Sequence, residues 1–283
     1  MSYHTVTTAV EAPGLDPLQR FWLSIRHVGQ GQVSYSRYQR AGLSRAAEGT
    51  APSEIEKLLL DWLQTDLNPT VQIARTSNMP SALVEGYNAF NRRVCVHVRT
   101  TMERSGSSIT LVREMRGSSF DPEICKHATS FAMSTMVRQV AAREGRPLGD
   151  ALSADHVARL LGVERSASAE LSNLYETRGP RTVEQAASEL GCSSRALQRA
   201  LKDEGGSAEQ IKIATRLLRA FKLMAGKLSL TQIALEAGYA DSAHMSRSFM
   251  ASCGLTPSEV RRASYSDSRA ILKSKTMLAT CST

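Results

Sequence analysis

Basic and amide side chains recur on one face of a short segment in the last third of the chain. Arg195, Gln198, Arg199 and Lys202 follow i, i+3, i+4 and i+7, the spacing that places side chains on one side of an α-helix. Arginine can pair with a guanine edge, and glutamine can pair with an adenine edge, in a DNA major groove. The pattern therefore predicts a DNA-reading helix, and the alternative is a solvated basic face on an ordinary helix.

A first helix and a turn must precede that face if it is to be presented to DNA. Residues 182–190 have apolar side chains at helical spacing, and Thr182 is a favourable N-cap residue. Gly191 suits the positive φ that often ends a helix, and Ser193 or Ser194 is expected to cap the helix that follows. These features predict a helix-turn-helix motif. The side chains expected to face its core are Val183, Ala187, Leu190, Leu197 and Leu201.

A second pattern of the same form lies 47 to 48 residues further along the chain. Leu230, Ala234 and Gly238 take the places of the first pattern's core residues and turn glycine. Its outward face is expected to consist of Ala243, Ser246, Arg247 and Met250. This face is less basic than the first, although serine and arginine can contact phosphates or base edges. The side chains expected to make such contacts are Ser242, Ser246 and Arg247.

A single long helix is expected to join the two patterns. The sequence Gly205-Gly206-Ser207 ends one helix and caps the next, and residues 208–225 contain neither proline nor an internal glycine. Ile211, Leu218 and Phe221 give this segment a buried stripe. Eighteen helical residues span roughly 27 Å, which is close to the roughly 34 Å of one DNA turn. The duplication therefore predicts two reading helices on one rigid body.

The motifs resemble those of AraC/XylS-type transcription regulators. The resemblance rests on residues 238–249, 254–261 and 193–199 and on Arg216, and it covers about Arg181 to Arg262. It implies a seven-helix DNA-binding domain with two recognition helices in successive major grooves. The residues that it assigns to the first groove are Ser194, Arg195, Gln198, Arg199 and Lys202, and those for the second are Ser242, Ala243, Ser246 and Arg247. The chain departs from the family pattern at Met250 and Cys253, where a basic residue and an aromatic residue are usual.

Composition supports a polyanion-binding part at the end of the chain. The 283 residues carry a net charge of +8, and residues 178–283 contain 16 of the 35 Lys and Arg but 9 of the 27 Asp and Glu. Nearly all of the positive excess therefore lies in the segment with the two motifs. No secretory signal and no membrane-spanning run is recognisable, so a cytoplasmic protein is expected. The five cysteines, which we expect to be reduced and mostly buried, are Cys95, Cys125, Cys192, Cys253 and Cys281.

The first half of the chain predicts a mixed α/β domain. Helices are expected over residues 15–28, 52–67, 79–91 and 121–144, with Ser53 as the N-cap of the second. Alternating Val94, Val96 and Val98, followed by Ile109 and Leu111, predict a β-hairpin with residues 103–107 in its turn. Residues 1–14 are expected to be disordered. The fold class is therefore an α+β N-terminal domain followed by an all-α C-terminal domain with two helix-turn-helix motifs joined by a long helix.

Four parts of the chain are expected. They are a regulatory or effector domain over residues 1–145, a helical linker over 146–177, a DNA-binding domain over 178–262 and a flexible tail over 263–283. The linker sequence 152–162 imitates the first helix of another motif, but no basic helix follows it.

The favoured hypothesis is a sequence-specific transcription regulator that binds promoter DNA. The expected partners are double-stranded DNA, RNA polymerase, a small-molecule effector and a second copy of the chain, with no membrane. The resemblance implies a bacterial activator, although the residues leave the direction of regulation open. No cofactor, metal or catalytic centre is expected, because the histidines lack metal-ligand spacing and no phosphate-binding glycine loop is present. The alternatives are an enzymatic, repair-type N-terminal domain with a DNA-binding module, or a ligand-independent regulator controlled by a protein partner.

Overall fold

The computed structural model describes residues 2–11, 14–77, 79–94, 98–105, 108–116, 120–143 and 150–265. Within these ranges the chain is mostly helical, with two small antiparallel sheets of two strands each. The strands are β1 (Ser2–Tyr3), β2 (Gln32–Val33), β3 (Val98–Ser105) and β4 (Ser108–Met115). The helices of the first half are α1 (His4–Glu11), α2 (Pro17–Gly29), α3 (Tyr35–Ala47), α4 (Pro52–Thr65), α5 (Pro69–Thr76), α6 (Pro80–Val94) and α7 (Glu123–Ala141). Those of the second half are α8 (Ala154–Leu161), α9 (Ala167–Arg178), α10 (Val183–Glu189), α11 (Ser194–Asp203), α12 (Ala208–Leu223), α13 (Leu230–Glu236), α14 (Ser242–Cys253) and α15 (Pro257–Tyr265).

The beginning of the chain is ordered where it is described, so the prediction of disorder over residues 1–14 is wrong there. Strand β1 pairs with β2, and helix α1 buries Val6, Ala9 and Val10. The threonines of α1 disfavour an isolated helix, but their hydroxyls find distant partners. Thr8 Oγ1 lies 3.2 Å from His27 Nε2 on helix α2. Tertiary packing therefore stabilises a helix that local propensity does not favour.

The four helices predicted in the first half are present as α2, α4, α6 and α7, each within a few residues of the expected bounds. Ser53 is not the N-cap of α4. That position is Ala51, because Pro52 occupies the first helical turn, where its missing N–H costs no hydrogen bond. Helices α3 and α5 were not predicted. They complete the packing around α7.

The predicted β-hairpin is confirmed, but its strands are displaced along the sequence. Val94 is the last residue of α6, and residues 103–105, expected in the turn, belong to β3. Val96 lies outside the described residues. The backbone of β3 is satisfied by an amide on α6, because Asn88 accepts from Met102 N at 2.8 Å and donates to Met102 O at 2.9 Å.

The linker is helical, as predicted, and is built into the second half. Helix α8 packs against α2 and α9, and α9 packs against α11 and α12. The carboxylate of Glu204, just after α11, accepts from Ala167 N at 2.7 Å and Ser168 N at 3.0 Å at the start of α9. The prediction of a flexible tail from residue 263 is wrong for the first residues of that range, because Ala263 and Ser264 are buried in α15. Residues 266–283 lie outside the described part.

One apolar core runs through both halves of the chain. It joins Phe21 and Ile25 of α2 with side chains of α12 and α14, including Leu218 and Phe249. A smaller cluster around Trp62 is confined to the first half. Helix α14, which carries the second predicted reading face, is therefore packed directly against α2 and α5 of the N-terminal half. The boundaries at residues 145, 177 and 262 remain predictions.

Candidate nucleic-acid interface

The first helix pair, α10 and α11, is set by local capping. Thr182 and Gln185 form a capping box, in which Gln185 N donates to Thr182 Oγ1 at 3.2 Å and Thr182 N donates to Gln185 Oε1 at 3.1 Å. Gly191 has a φ of 71°, a value that glycine adopts without strain. Ser193 then caps α11 by accepting from Ala196 N at 3.2 Å. The capping residues expected from the sequence are thus confirmed, with Ser193 rather than Ser194 as the second cap.

Helix α11 is anchored by its apolar face and presents its polar face to solvent. Leu197 and Leu201 are buried in the common core. The side chains of the opposite face are all exposed, and they are Arg195, Gln198, Arg199 and Lys202. Ser194, the first residue of the helix, is half-buried. The structure therefore brings together the first-groove residues that the resemblance assigned.

The cations of this face are not neutralised by any residue that the structure describes. Among the described residues, no carboxylate forms an ion pair with Arg195, Arg199 or Lys202. By contrast, Arg178 and Arg181, just before α10, are both paired with Glu189, the former at 2.9 Å. Unpaired guanidinium and ammonium groups on an exposed helix are available for an anionic partner.

The second helix pair, α13 and α14, repeats the capping chemistry of the first. Ser229 and Gln232 form a capping box, and Gly238 has a φ of 84°. Asp241 is the N-cap of α14 and accepts from His244 N at 2.6 Å. Sequence analysis did not identify this cap, although an Asp directly before a helical pattern is a strong N-cap signal.

Helix α14 has a shorter outward face than predicted. Met245 and Phe249 are buried, Ala243 and Arg247 are exposed, and Ser242 and Ser246 are half-buried. Met250, expected at the end of the outward face, is half-buried, and its carbonyl accepts a hydrogen bond from Gln32 Nε2 at 2.8 Å. The end of α14 is therefore occupied by the N-terminal half, and Arg247 is its exposed cation.

Helix α12 holds the two pairs at a fixed separation. It begins after the N-cap Ser207 and buries Ile211, Leu218 and Phe221, as expected. Its 16 residues span about 24 Å. Arg219 Nε donates to Glu236 O at 2.8 Å, which fastens α12 to the end of α13.

The cysteine thiols of the described residues differ in solvent exposure. Cys253, at the position where the family pattern has an aromatic residue, is buried, and burial raises the pKa of its thiol to about 12. Cys125 is also buried, with its pKa raised to about 12 by the same cause, whereas Cys192 is exposed. The expectation of mostly buried free thiols is met by two of these three, and Cys95 and Cys281 lie outside the described residues.

Among the described residues, no group of three or more His, Cys, Asp or Glu side chains is arranged to hold a metal ion. None of the helices described is both long enough and apolar enough to cross a membrane.

Comparison with known proteins gives one match to a family and one to a solved structure. Residues 186–263 match the family model described as "Helix-turn-helix domain". The crystal structure of the transcriptional regulator CdpR from Pseudomonas aeruginosa is similar over 87% of this chain and 96% of that chain, with 14% identity and a TM-score of 0.32. Among curated proteins, none matches the sequence. The matched segment runs from within α10 to within α15 and so includes α11, α12, α13 and α14.

Proposed function

Residues 186–263 are an AraC-type helix-turn-helix domain, and from this premise we propose that the protein is a sequence-specific transcription regulator. It binds double-stranded DNA with α11 in one major groove and α14 in the next. A helix-turn-helix domain places its second helix in a major groove, where side chains at the start of that helix reach the base edges. Helices α11 and α14 are the second helices of their pairs.

The observation that carries the proposal is the exposed cationic face of α11, whose charges form no ion pair with the part of the chain that the structure describes. Its charges are held on a helix whose opposite side is fixed by Leu197 and Leu201, so the face does not need to reorganise when DNA binds. Arg195, Gln198 and Arg199 are suited to base edges, and Lys202 is suited to a phosphate. Ser194 lies at the positive end of the helix, where phosphate binding is favourable.

The second groove is read by a weaker face of α14. Ser242, Ala243 and Ser246 supply small side chains that allow a close approach of the helix to DNA, and Arg247 supplies the charge. The length of α12, about 24 Å, supports this assignment, because the two helices must be separated by roughly one DNA turn of 34 Å once their own widths are included.

Control by a small molecule belongs to the same proposal. A small apolar pocket, open to solvent on one side, lies between the N-terminal helices and the matched domain. Its walls include Met102, Met133 and Met136 from the first half and Leu255 and Ala263 from the second. Methionine side chains adapt to ligands of different shape. A compact, uncharged apolar molecule is the effector class that fits these walls, and RNA polymerase and a second copy of the chain stay predictions from the resemblance.

Selection of bound sequences from a random DNA pool tests the main proposal. The full-length protein is expected to enrich an asymmetric site with two conserved blocks about 10 base pairs apart, one for each reading helix. Enrichment of a single block would restrict the proposal to α11. No enrichment at any salt concentration would refute sequence-specific binding.

A further inference from the structure

One continuous segment of the N-terminal half touches the parts that carry both reading helices. The segment is residues 22–32, from the middle of α2 to the start of β2, and we call it the bridging segment. Trp22 packs so closely on Gly206 that a Cβ atom at residue 206 would overlap the indole ring. Arg26 donates to the carbonyl of Gly205. Both contacts lie in the turn that directly follows α11.

The bridging segment then follows the first two turns of α12. Trp22 lies beside Gly206, and seven residues later Gly29 lies beside Ile213, where an added Cβ would be 3.0 Å from the isoleucine Cγ2. The two contacts are seven residues, or about 10.5 Å, apart along α2, and their partners lie just before α12 and within its second turn. Helices α2 and α12 consequently run side by side in the same direction.

The end of the bridging segment reaches the last turn of α14. Gln32 Nε2 donates to the Met250 carbonyl at 2.8 Å. A Cβ on Gly31 would overlap the carbonyl oxygen of Ser252, so the backbones of the segment and of α14 are in direct contact. The Met250 carbonyl also accepts from Gly254 N at 3.0 Å, so Gln32 adds a second donor to a carbonyl in the last turn of α14.

The bridging segment is itself fixed to the body of the N-terminal half. Phe21, Ile25 and Val28 of α2 are fully buried, and Ser24 Oγ donates to Thr65 O at 2.9 Å. The segment therefore cannot move freely with either reading helix.

We infer that the bridging segment positions α11 and α14 relative to each other and so determines which spacing between two half-sites the protein accepts. This inference rests on the proposed function. Helix α12 is fastened to the α13–α14 pair by packing and by the hydrogen bond from Arg219 to Glu236. The contacts of residues 22–32 at both ends add a second connection between the two helix pairs. Trp22, Arg26 and Gln32 are thus positioning residues, and the N-terminal half has a direct route to the DNA-reading surface.

The test measures binding of the full-length protein to pairs of half-sites whose spacing is changed by one base pair. One base pair moves the second half-site by about 3.4 Å and rotates it by about 34°. The wild-type protein is expected to lose about tenfold in affinity for this change, within the usual range of coupling between two sites. The double variant Arg26→Ala, Gln32→Ala is expected to lose at most about threefold, while its affinity for a single half-site stays the same.

Two matched controls separate positioning from general damage. Arg20→Ala removes an arginine from the same helix that faces Asp61 instead of the DNA-binding domain, and it should keep the wild-type spacing penalty. Gly206→Ala places a methyl group against Trp22 and should relax spacing selectivity, whereas Gly226→Ala meets only Leu223 O at an ordinary 3.5 Å and should not. Equal spacing penalties in the wild type and in both test variants would overturn the inference.

A second measurement requires no DNA. Spin labels at the exposed Cys192 and at Ala243→Cys, with Cys95→Ser and Cys281→Ser, report the distance between the starts of α11 and α14. The distribution of distances should broaden in the double variant and stay narrow in Arg20→Ala. If the wild type binds DNA without any spacing preference, the two-groove function fails. If wild-type selectivity is present and neither measurement changes in the variants, the positioning role alone fails.

Discussion

Replacement of Arg199 by alanine separates base reading from general attraction to DNA. The side chain is exposed on α11 and forms no ion pair with a described residue, so the free energy of unfolding should change by less than about 0.5 kcal/mol. A two-pronged contact of arginine with a base is worth about 1–3 kcal/mol of discrimination. The ratio of affinities for the selected site and for scrambled DNA should therefore fall by about 5-fold to 150-fold.

The assay is fluorescence anisotropy of labelled duplexes, repeated at several salt concentrations. Lys202→Ala is the variant to compare, because a lost phosphate contact weakens binding to the selected site and to scrambled DNA alike. It should also reduce the slope of log affinity against log salt concentration by about 1. Arg159→Ala removes the same charge from α8, where the arginine is paired with Asp155, and it should leave both affinities nearly unchanged. The design therefore separates a change of charge from a change of recognition.

The assignment of α11 would be wrong if Arg199→Ala kept the wild-type affinity ratio. It would be equally wrong if Arg199→Ala behaved like Lys202→Ala, with parallel losses on both duplexes. Unchanged thermal unfolding of all three variants is the condition for either conclusion, because a partly unfolded protein loses affinity for every sequence.

Two more predictions concern the N-terminal half. The pKa of His4 is lowered from 6.5 to about 3 by burial and by the nearby His27 and Arg37, so the unfolded chain takes up the proton first as the pH falls. The free energy of unfolding should then decrease below pH 6.5 by at most about 1.4 kcal/mol per pH unit. In urea titrations repeated at several pH values, this free energy should depend less on pH in His4→Gln than in the wild type. An equal pH dependence in the two proteins would contradict the burial of neutral His4. In a thermal-shift screen of the full-length protein, an uncharged apolar compound at 100 times its Kd should stabilise by about 2.7 kcal/mol. Gly86→Leu, at the pocket wall, should remove that shift, and a shift that survives it would place the ligand elsewhere.

The reading face of α11 was predictable because its determinants are close in sequence. Thr182, Gln185, Gly191 and Ser193 each act within five residues, through caps and a positive φ. Helical spacing then determines which side chains point outward. The same reasoning found α12 from its cap and apolar spacing, whereas α14 was found from apolar spacing alone and its cap Asp241 was missed.

The missed elements depend on partners that are distant in sequence. Helix α1 is rich in threonine, and it is stabilised by contacts such as Thr5 with Asp66, 61 residues apart. The middle of β3 is held by the Asn88 amide on α6, a contact that the valine alternation does not indicate. No local sequence pattern predicts the hydrogen bond between Gln32 and Met250, which are 218 residues apart. The contacts of the bridging segment therefore could not be predicted from local sequence, because they join residues of the two halves of the chain.

The two reading faces differ in charge, and this difference makes a fixed orientation more important for α14 than for α11. Helix α11 carries three exposed cations, so electrostatic attraction alone can hold it on DNA. Helix α14 has Arg247 with small side chains around it, and such a face gains little from charge. Its contribution depends on being held in the bound orientation beforehand, because an ordered surface loses less entropy on association. Gln32 at the end of α14, and the ion pair of Arg93 with Glu259 at 2.5 Å on α15, place that restraint on the weaker of the two readers.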